Sequence, residues 1–259
     1  MKARVALGAA LVALAGCGGG GAQTPAQVAS KTAAKLPDIR SGDMRVELAA
    51  TGRGGGQTAK LGFKLAGPFA LARGGGLPIA KLRYTQISGD QQGSATFIST
   101  GREAFVQGQG GGAARPLPAK QTQRLRAAAG QVSQNGGVRK LDLERWMRNP
   151  KLDGGPPVGG DATDRIRAAV NVPAVAKDLA GRLGDTKTLE RAIKSARVEL
   201  LTGTKDRLLR RLTLDVNLAL DVPRGLKQQL GKLVGGDVRL VFEVADPNRK
   251  VSVPRPATG

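Results

Sequence analysis

Residues 212–220 read LTLDVNLAL. Leu212, Leu214, Val216, Leu218 and Leu220 occupy every second position, with Thr213, Asp215 and Asn217 between them. A period of two belongs to a strand with one buried and one wet face. On an α-helix the same leucines would spread around the whole circumference. This run therefore decides the fold class: the chain is built on strands, and those strands have an apolar side.

The same alternation recurs on both sides of that stretch. Val238, Leu240, Phe242 and Val244 form one such series, and Val198 with Leu200 another. Ile166, Ala168 and Val170 repeat it upstream. Between about 43 and 109, Met44/Val46/Leu48, Leu61/Phe63/Leu65, Leu82/Tyr84 and Ala95/Phe97 alternate with charged, small or hydroxyl-bearing residues. Glycine-rich stretches at Gly54–Gly56, Gly74–Gly76, Gly89-Asp90 and Gly110–Gly112 separate these runs. Strand, glycine turn, strand, with no helical stretch between, predicts an antiparallel meander.

Helical signals lie at the start and in the middle. Thr24 caps, Pro25 suits the first turn, Gln27 stands at the capping-box position, and Ala26, Ala29, Ala33 and Leu36 share one face until Pro37. Residues 116–130 read helical, and a further helix is predicted over Leu141–Met147, holding Trp146 and ending at Asn149-Pro150. Gly154–Gly160, GGPPVGG, reads as a loop. Pro173–Leu183 and a segment capped by Asp185, with Leu189, Ile193 and Ala196 inward, read as two more helices, and Leu226–Leu233 as a short one. The expectation is an α+β domain: a strongly curved antiparallel sheet of nine or ten strands, with helices on its apolar, concave face. The space between the layers is either a cavity or a solid core.

Composition narrows the function. There are 41 Lys+Arg against 20 Asp+Glu, a net charge of +21, no histidine and one cysteine. Without histidine the chain lacks the commonest metal ligand and the side chain best suited to proton transfer near neutral pH. A single cysteine allows no internal disulfide. No G-x-x-x-x-G-K-[ST] or G-x-S-x-G occurs. The chain is read as non-catalytic, with no cofactor and no metal site. Asp153, Asp161 and Asp164 around the glycine loop are compatible with calcium, but their spacing fits no known loop pattern and aspartate is a common turn residue.

The lone cysteine sits in an address. Met1–Arg4 is a short basic region, Val5–Leu14 an apolar run too short to span a bilayer permanently, and Leu14-Ala15-Gly16-Cys17 matches the bacterial lipobox. The expected organisation is a lipoprotein signal peptide over 1–16, a glycine-rich tether over 17–23 and a single domain over 24–259. Cys17 is the lipid attachment site, which places the protein on the extracytoplasmic face of the cell membrane. The tether reaches about 15 Å as a random coil.

Several stretches, in order, resemble one family. They are Trp146-Met147-Arg148-Asn149-Pro150, Val158–Thr163 followed by Arg165–Val170, Leu208–Leu212, and Ala245–Asn248 followed by Val251–Pro254. With the lipobox before them, they are similar to the LolA-like superfamily, specifically actinobacterial lipoproteins of the LppX/LprG type. The resemblance covers roughly 25–254. It implies a half-barrel with helices on the concave side and an apolar pocket that carries or holds the acyl chains of lipids or glycolipids in the cell envelope.

Candidate pocket residues are Phe63, Leu65, Leu82, Tyr84, Phe97, Leu214, Val216, Leu218 and Phe242, each of which also suits an ordinary core. The alternative function is a non-catalytic envelope scaffold or sensor contacting another protein, with a filled core; some relatives of this fold are sensors. The basic excess either keeps the globule soluble or attracts anionic headgroups or acidic wall polymers, through spots at Arg124/Arg126, Arg139/Lys140, Arg145/Arg148 and Arg207/Arg210/Arg211. Export, scarce aromatics and the lack of a recognition motif argue against nucleic acid.

Overall fold

A computed structural model describes residues 23–54, 57–72, 76–135, 143–175, 177, 190–218 and 235–258. The chain opens with helix α1 (Pro25–Ala34) and a 3-10 turn over Leu36–Asp38. Strands β1 (Ser41–Gly54), β2 (Gln57–Ala70), β3 (Ile79–Ser88), β4 (Gln91–Thr100), β5 (Ala104–Gly108) and the two-residue β6 (Arg115–Pro116) follow. Helices α2 (Ala119–Asn135) and α3 (Leu143–Trp146) lead to β7 (Met147–Val158), β8 (Asp161–Val170), β9 (Ile193–Gly203), β10 (Leu209–Leu218) and β11 (Gly235–Ala245).

All the strands belong to one curved sheet in the order β6-β5-β4-β3-β2-β1-β11-β10-β9-β8-β7, antiparallel at every step. The first half of the chain walks outward from β1; the second half walks back and closes against β1 through β11. The outermost strands β6 and β7 do not pair, so the sheet stays open. Short hairpin links suffice for most steps, as the sequence predicts. The described residues form eleven strands rather than nine or ten.

The expected helix start is present: the Thr24 side chain accepts from the Gln27 amide at 3.2 Å, and the Thr24 amide donates to Gln27 Oε1 at 3.0 Å. The inward face of α1 carries Val28, Ala29 and Thr32. Trp146 does lie in a helix, but that helix ends there. Met147, Asn149 and Pro150 belong to β7, and so do Gly154–Val158 of the predicted loop. The reason is position. β7 is an edge strand, where a proline without an N–H removes no ladder bond. Pro150 falls in one irregularity of the ladder, between Arg148 and Lys151, and Pro156-Pro157 fall in another, between Gly155 and Val158. Only Gly159 and Gly160, both at positive φ, remain as the turn.

Ile193 and Ala196 are the second correction. They lie in β9, not on a helix. A register shift lets Asn217 face Ser195 while Leu218 faces Ile193. The extra residue brings two side chains three positions apart onto one face, which mimics helical spacing. Residues 172–175, 177 and 190–192 are helical; the rest of the Pro173–Leu183 and Asp185 expectations, and Leu226–Leu233, lie outside the described residues. Val251–Pro254 form no strand; Val253 instead packs on Ile98, Phe105 and Ala114, on the opposite side of the sheet from α1.

The main core lies between the sheet and α1 with α3. Val28, Ala29, Leu36 and Ile39 meet Leu143, Trp146, Ile166, Val198, Leu200, Phe69 and Val244 in one cluster. Within β2, Gly67 adopts φ +141°, and a Cβ there would lie 2.1 Å from the Lys81 carbonyl oxygen. β2 and β3 pack backbone to backbone at this point, so only glycine fits.

Candidate functional site

Strand register assembles the candidate residues. Leu65 faces Tyr84 across β2–β3 and Val46 across β1–β2; Val46 faces Phe242, which faces Leu212. One row along, Phe63 faces Leu48, Leu48 faces Leu240, Leu240 faces Leu214, and Leu214 faces Val198. Val216 faces Val238, Leu218 faces Gly236, and Leu82 faces Phe97. Directly opposed residues of antiparallel strands share a face. Phe63, Leu65, Leu82, Tyr84, Phe97, Leu214, Val216, Leu218 and Phe242 therefore all stand on one side of the sheet, the side on which α1 and α3 pack. The rings of Phe63 and Tyr84 stack at 6.0 Å between centroids.

Burial changes along this face. At the end near the β9–β10 turn, Val244, Phe69, Ala80 and Leu200 are buried. Toward the opposite end Phe242, Leu240 and Val238 on β11, and Leu65 and Phe63 on β2, are only half-buried. Leu61 at 40% and Tyr84 at 39% are the large apolar side chains that stand exposed among the described residues. A small apolar cavity of about 50 Å³ lies at this end, lined by Ala50, Leu61, Leu218 and Val238 among others. Leu218 and Gly236 also pair here.

The other side of the sheet is ionic. Arg211 pairs with Glu243 at 2.5 Å, Arg239 with Asp215 at 3.0 Å, and Arg53 with Asp237 at 2.6 Å. Glu47 accepts from Arg45 at 2.7 Å, which with Lys64 holds its carboxyl below the usual carboxylate range despite partial burial. The three aspartates weighed as calcium ligands each answer an arginine. Asp153 takes Arg165 and Arg167, Asp161 takes Arg210, and Asp164 takes Arg207. The basic spot Arg207/Arg210/Arg211 is thus neutralised residue by residue. Arg126 donates to the Arg102 carbonyl, Arg148 donates to Asn171 Oδ1, and Arg139/Lys140 lie outside the described residues.

Sequence reading singled out Arg210 only as part of a basic run. The residue is 3% exposed, and its guanidinium donates to Asp161 and Asp206 at 2.7 Å each and to the Leu208 carbonyl at 3.3 Å. It ties the β8 start to the β9–β10 turn beneath the covered end of the core. Burial pushes the Asp206 carboxyl up, but the Arg210 bond and the Leu208 amide outweigh it and hold the group below its ordinary value. No helix among the described residues is long and apolar enough to cross a membrane. Cys17 lies outside the described residues.

No protein-family model matches the sequence, and no curated protein matches it. Among solved structures the chain is similar to the lipoprotein LprF from Mycobacterium bovis, with TM-score 0.47 and 11% identity over 90% of this chain and 97% of that one. It is similar to the Mycobacterium tuberculosis lipoprotein LppX, with TM-score 0.38 and 14% identity over 90% and 100%. It is also similar to the LolA superfamily protein NE2245 from Nitrosomonas europaea, with TM-score 0.22 and 10% identity over 87% and 95%. The likeness is one of fold alone.

Proposed function

We propose that the protein is a lipoprotein of the cell envelope, anchored through acylated Cys17 on the extracytoplasmic face of the membrane. It holds the acyl chains of a lipid or glycolipid against the apolar face of its sheet and carries or retains them there. The observation that carries this reading is one-sidedness: the apolar face extends from Val244 to Val238 on β11 and from Phe69 to Leu61 on β2, and its burial falls off along that length. A half-buried apolar strip leaves part of its surface in water, and an acyl chain laid on it gains about 0.8 kcal/mol per buried methylene. Retention of cargo needs no catalytic group, consistent with side chains here that stack and pack.

The test is the lipid content of the protein itself. Full-length chain carrying Cys17→Ser, purified without detergent and extracted, is analysed by mass spectrometry. The reading expects an acylated lipid in near-equimolar amount. A folded protein devoid of lipid would favour a scaffold or sensor that contacts another protein.

A further inference from the structure

Among the described residues of the ionic face, one groove gathers four basic side chains around two acids. A groove of about 510 Å³ crosses β7, β8, β9 and β10, lined by Arg148, Lys151, Arg167 and Arg197 with Glu199 and Asp215. Register explains the cluster. Arg148 and Arg197 flank Ala169 on either side, while Lys151 and Glu199 flank Arg167. The short Ala169 side chain makes a floor between longer basic ones. Asp215 is bridged by Arg239 and lies directly across from Arg197, while Glu199 lies across from Arg167, which Asp153 also bridges. Among the described residues Arg148 donates to the neutral amide oxygen of Asn171. Among the described residues Lys151 and Arg197 form no ion pair.

The groove also lies at a particular end of the molecule. Arg148 follows Met147, the first residue of β7, and α3 runs directly into it. Helix α1 packs against α3 and β7. The far end of α1 is pinned at the β9–β10 turn, where Thr32 meets Thr202 and Lys35 Nζ donates to the Asp206 carbonyl. The helix is about 15 Å long and lies on the apolar side of the sheet, beside α3 and the edge strand β7. In the sequence, Cys17 precedes Thr24 by seven residues.

We propose that this groove docks the protein onto anionic phospholipid headgroups of the membrane to which it is tethered. This rests on the reading of Cys17 as the anchor. A headgroup phosphate enters between Arg148 and Arg197 over Ala169, with Lys151 and Arg167 at its edge. Guanidinium groups suit phosphate oxygens through paired N–H donors. A basic patch added to an acyl anchor converts loose attachment into an oriented one.

The experiment uses full-length chain with Cys17→Ser, so that acylation plays no part, and sedimentation with vesicles. Neutral phosphatidylcholine vesicles are compared with vesicles containing one-third phosphatidylglycerol, at low and high salt. Two charge-matched variants are tested: Lys151→Gln/Arg197→Gln in the groove, and Lys81→Gln/Arg83→Gln on β3, which lies, along the sheet order, five strands from Arg197 and seven from Lys151. The expected result is preference for anionic vesicles that salt abolishes. The groove variant should lose roughly 30-fold in affinity, at about fivefold per basic residue, and the β3 variant much less. Equal losses in the two variants, or equal binding to neutral and anionic vesicles, would overturn the proposal. Groove-dependent binding of soluble polyphosphate without vesicle preference would overturn it too, in favour of an acidic polymer. Bound cargo lipid should be unchanged in both variants, which separates this test from that of the pocket.

Discussion

The hydroxyl oxygens of Thr32 on α1 and Thr202 on β9 lie 2.9 Å apart, both fully buried. The Val28 carbonyl is 2.9 Å from the first and the Leu208 carbonyl 3.3 Å from the second. Helix and sheet are therefore joined at the covered end by a polar contact inside an apolar core. Thr32→Val keeps shape and removes that contact, and a stability loss of about 1–2 kcal/mol is expected. In a double-mutant cycle with Thr202→Val, the combined loss should fall short of the sum by about 0.5 kcal/mol or more, measured by denaturant unfolding. Simple additivity would mean that the two hydroxyls do not interact.

Arg210 is the second anchor of that end. Its partners Asp161 and Asp206 are 48% and 40% exposed in their side chains, so water screens much of the attraction. Arg210→Met should destabilise by about 1–3 kcal/mol, less than for a fully buried pair. The same contact makes stability depend on acid. A carboxyl whose pKa is lowered by folding contributes stability above its unfolded pKa, and that contribution is lost as pH falls through the folded value. Asp206, Glu47 and Asp153 are all lowered in this way. Thermal stability should hold down to about pH 4 and decline below it. In Arg210→Met the Asp206 share of that decline should be absent.

Gly67 and Gly93 separate two roles of glycine in this sheet. Gly67→Ala forces a side chain onto the Lys81 carbonyl at positive φ, and a loss above about 2 kcal/mol is expected. Around Gly93 on β4 a Cβ would meet nothing within 4 Å, so Gly93→Ala should be neutral or mildly stabilising. Melting temperatures of the two variants decide the matter.

The sequence was most legible where period and environment agree. Met44/Val46/Leu48 and Leu212/Leu214/Val216 alternate because one side of their strands faces the core, so parity alone placed the candidate pocket residues on a common face. It failed where tertiary position overrides local preference. Pro150, Pro156 and Pro157 read as breakers, yet β7 has a free edge that tolerates them. Ile193 and Ala196 read as helical because a bulge breaks parity. The basic groove was invisible for a different reason. Arg148, Arg167 and Arg197 meet only through the pairing of three strands, and nothing local marks them as neighbours.

The central claim is that the apolar face holds lipid, and adjacent positions on β10 test it most directly. Leu214 points to that face, while Asp215 points to the ionic one and is exposed. Leu214→Trp and Asp215→Trp, each shown to be folded, are purified alongside the parent chain, and their lipids are quantified by mass spectrometry. The account predicts bound lipid in the parent and in Asp215→Trp, and its loss in Leu214→Trp. Equal lipid content in all three, or none in the folded parent, would contradict it.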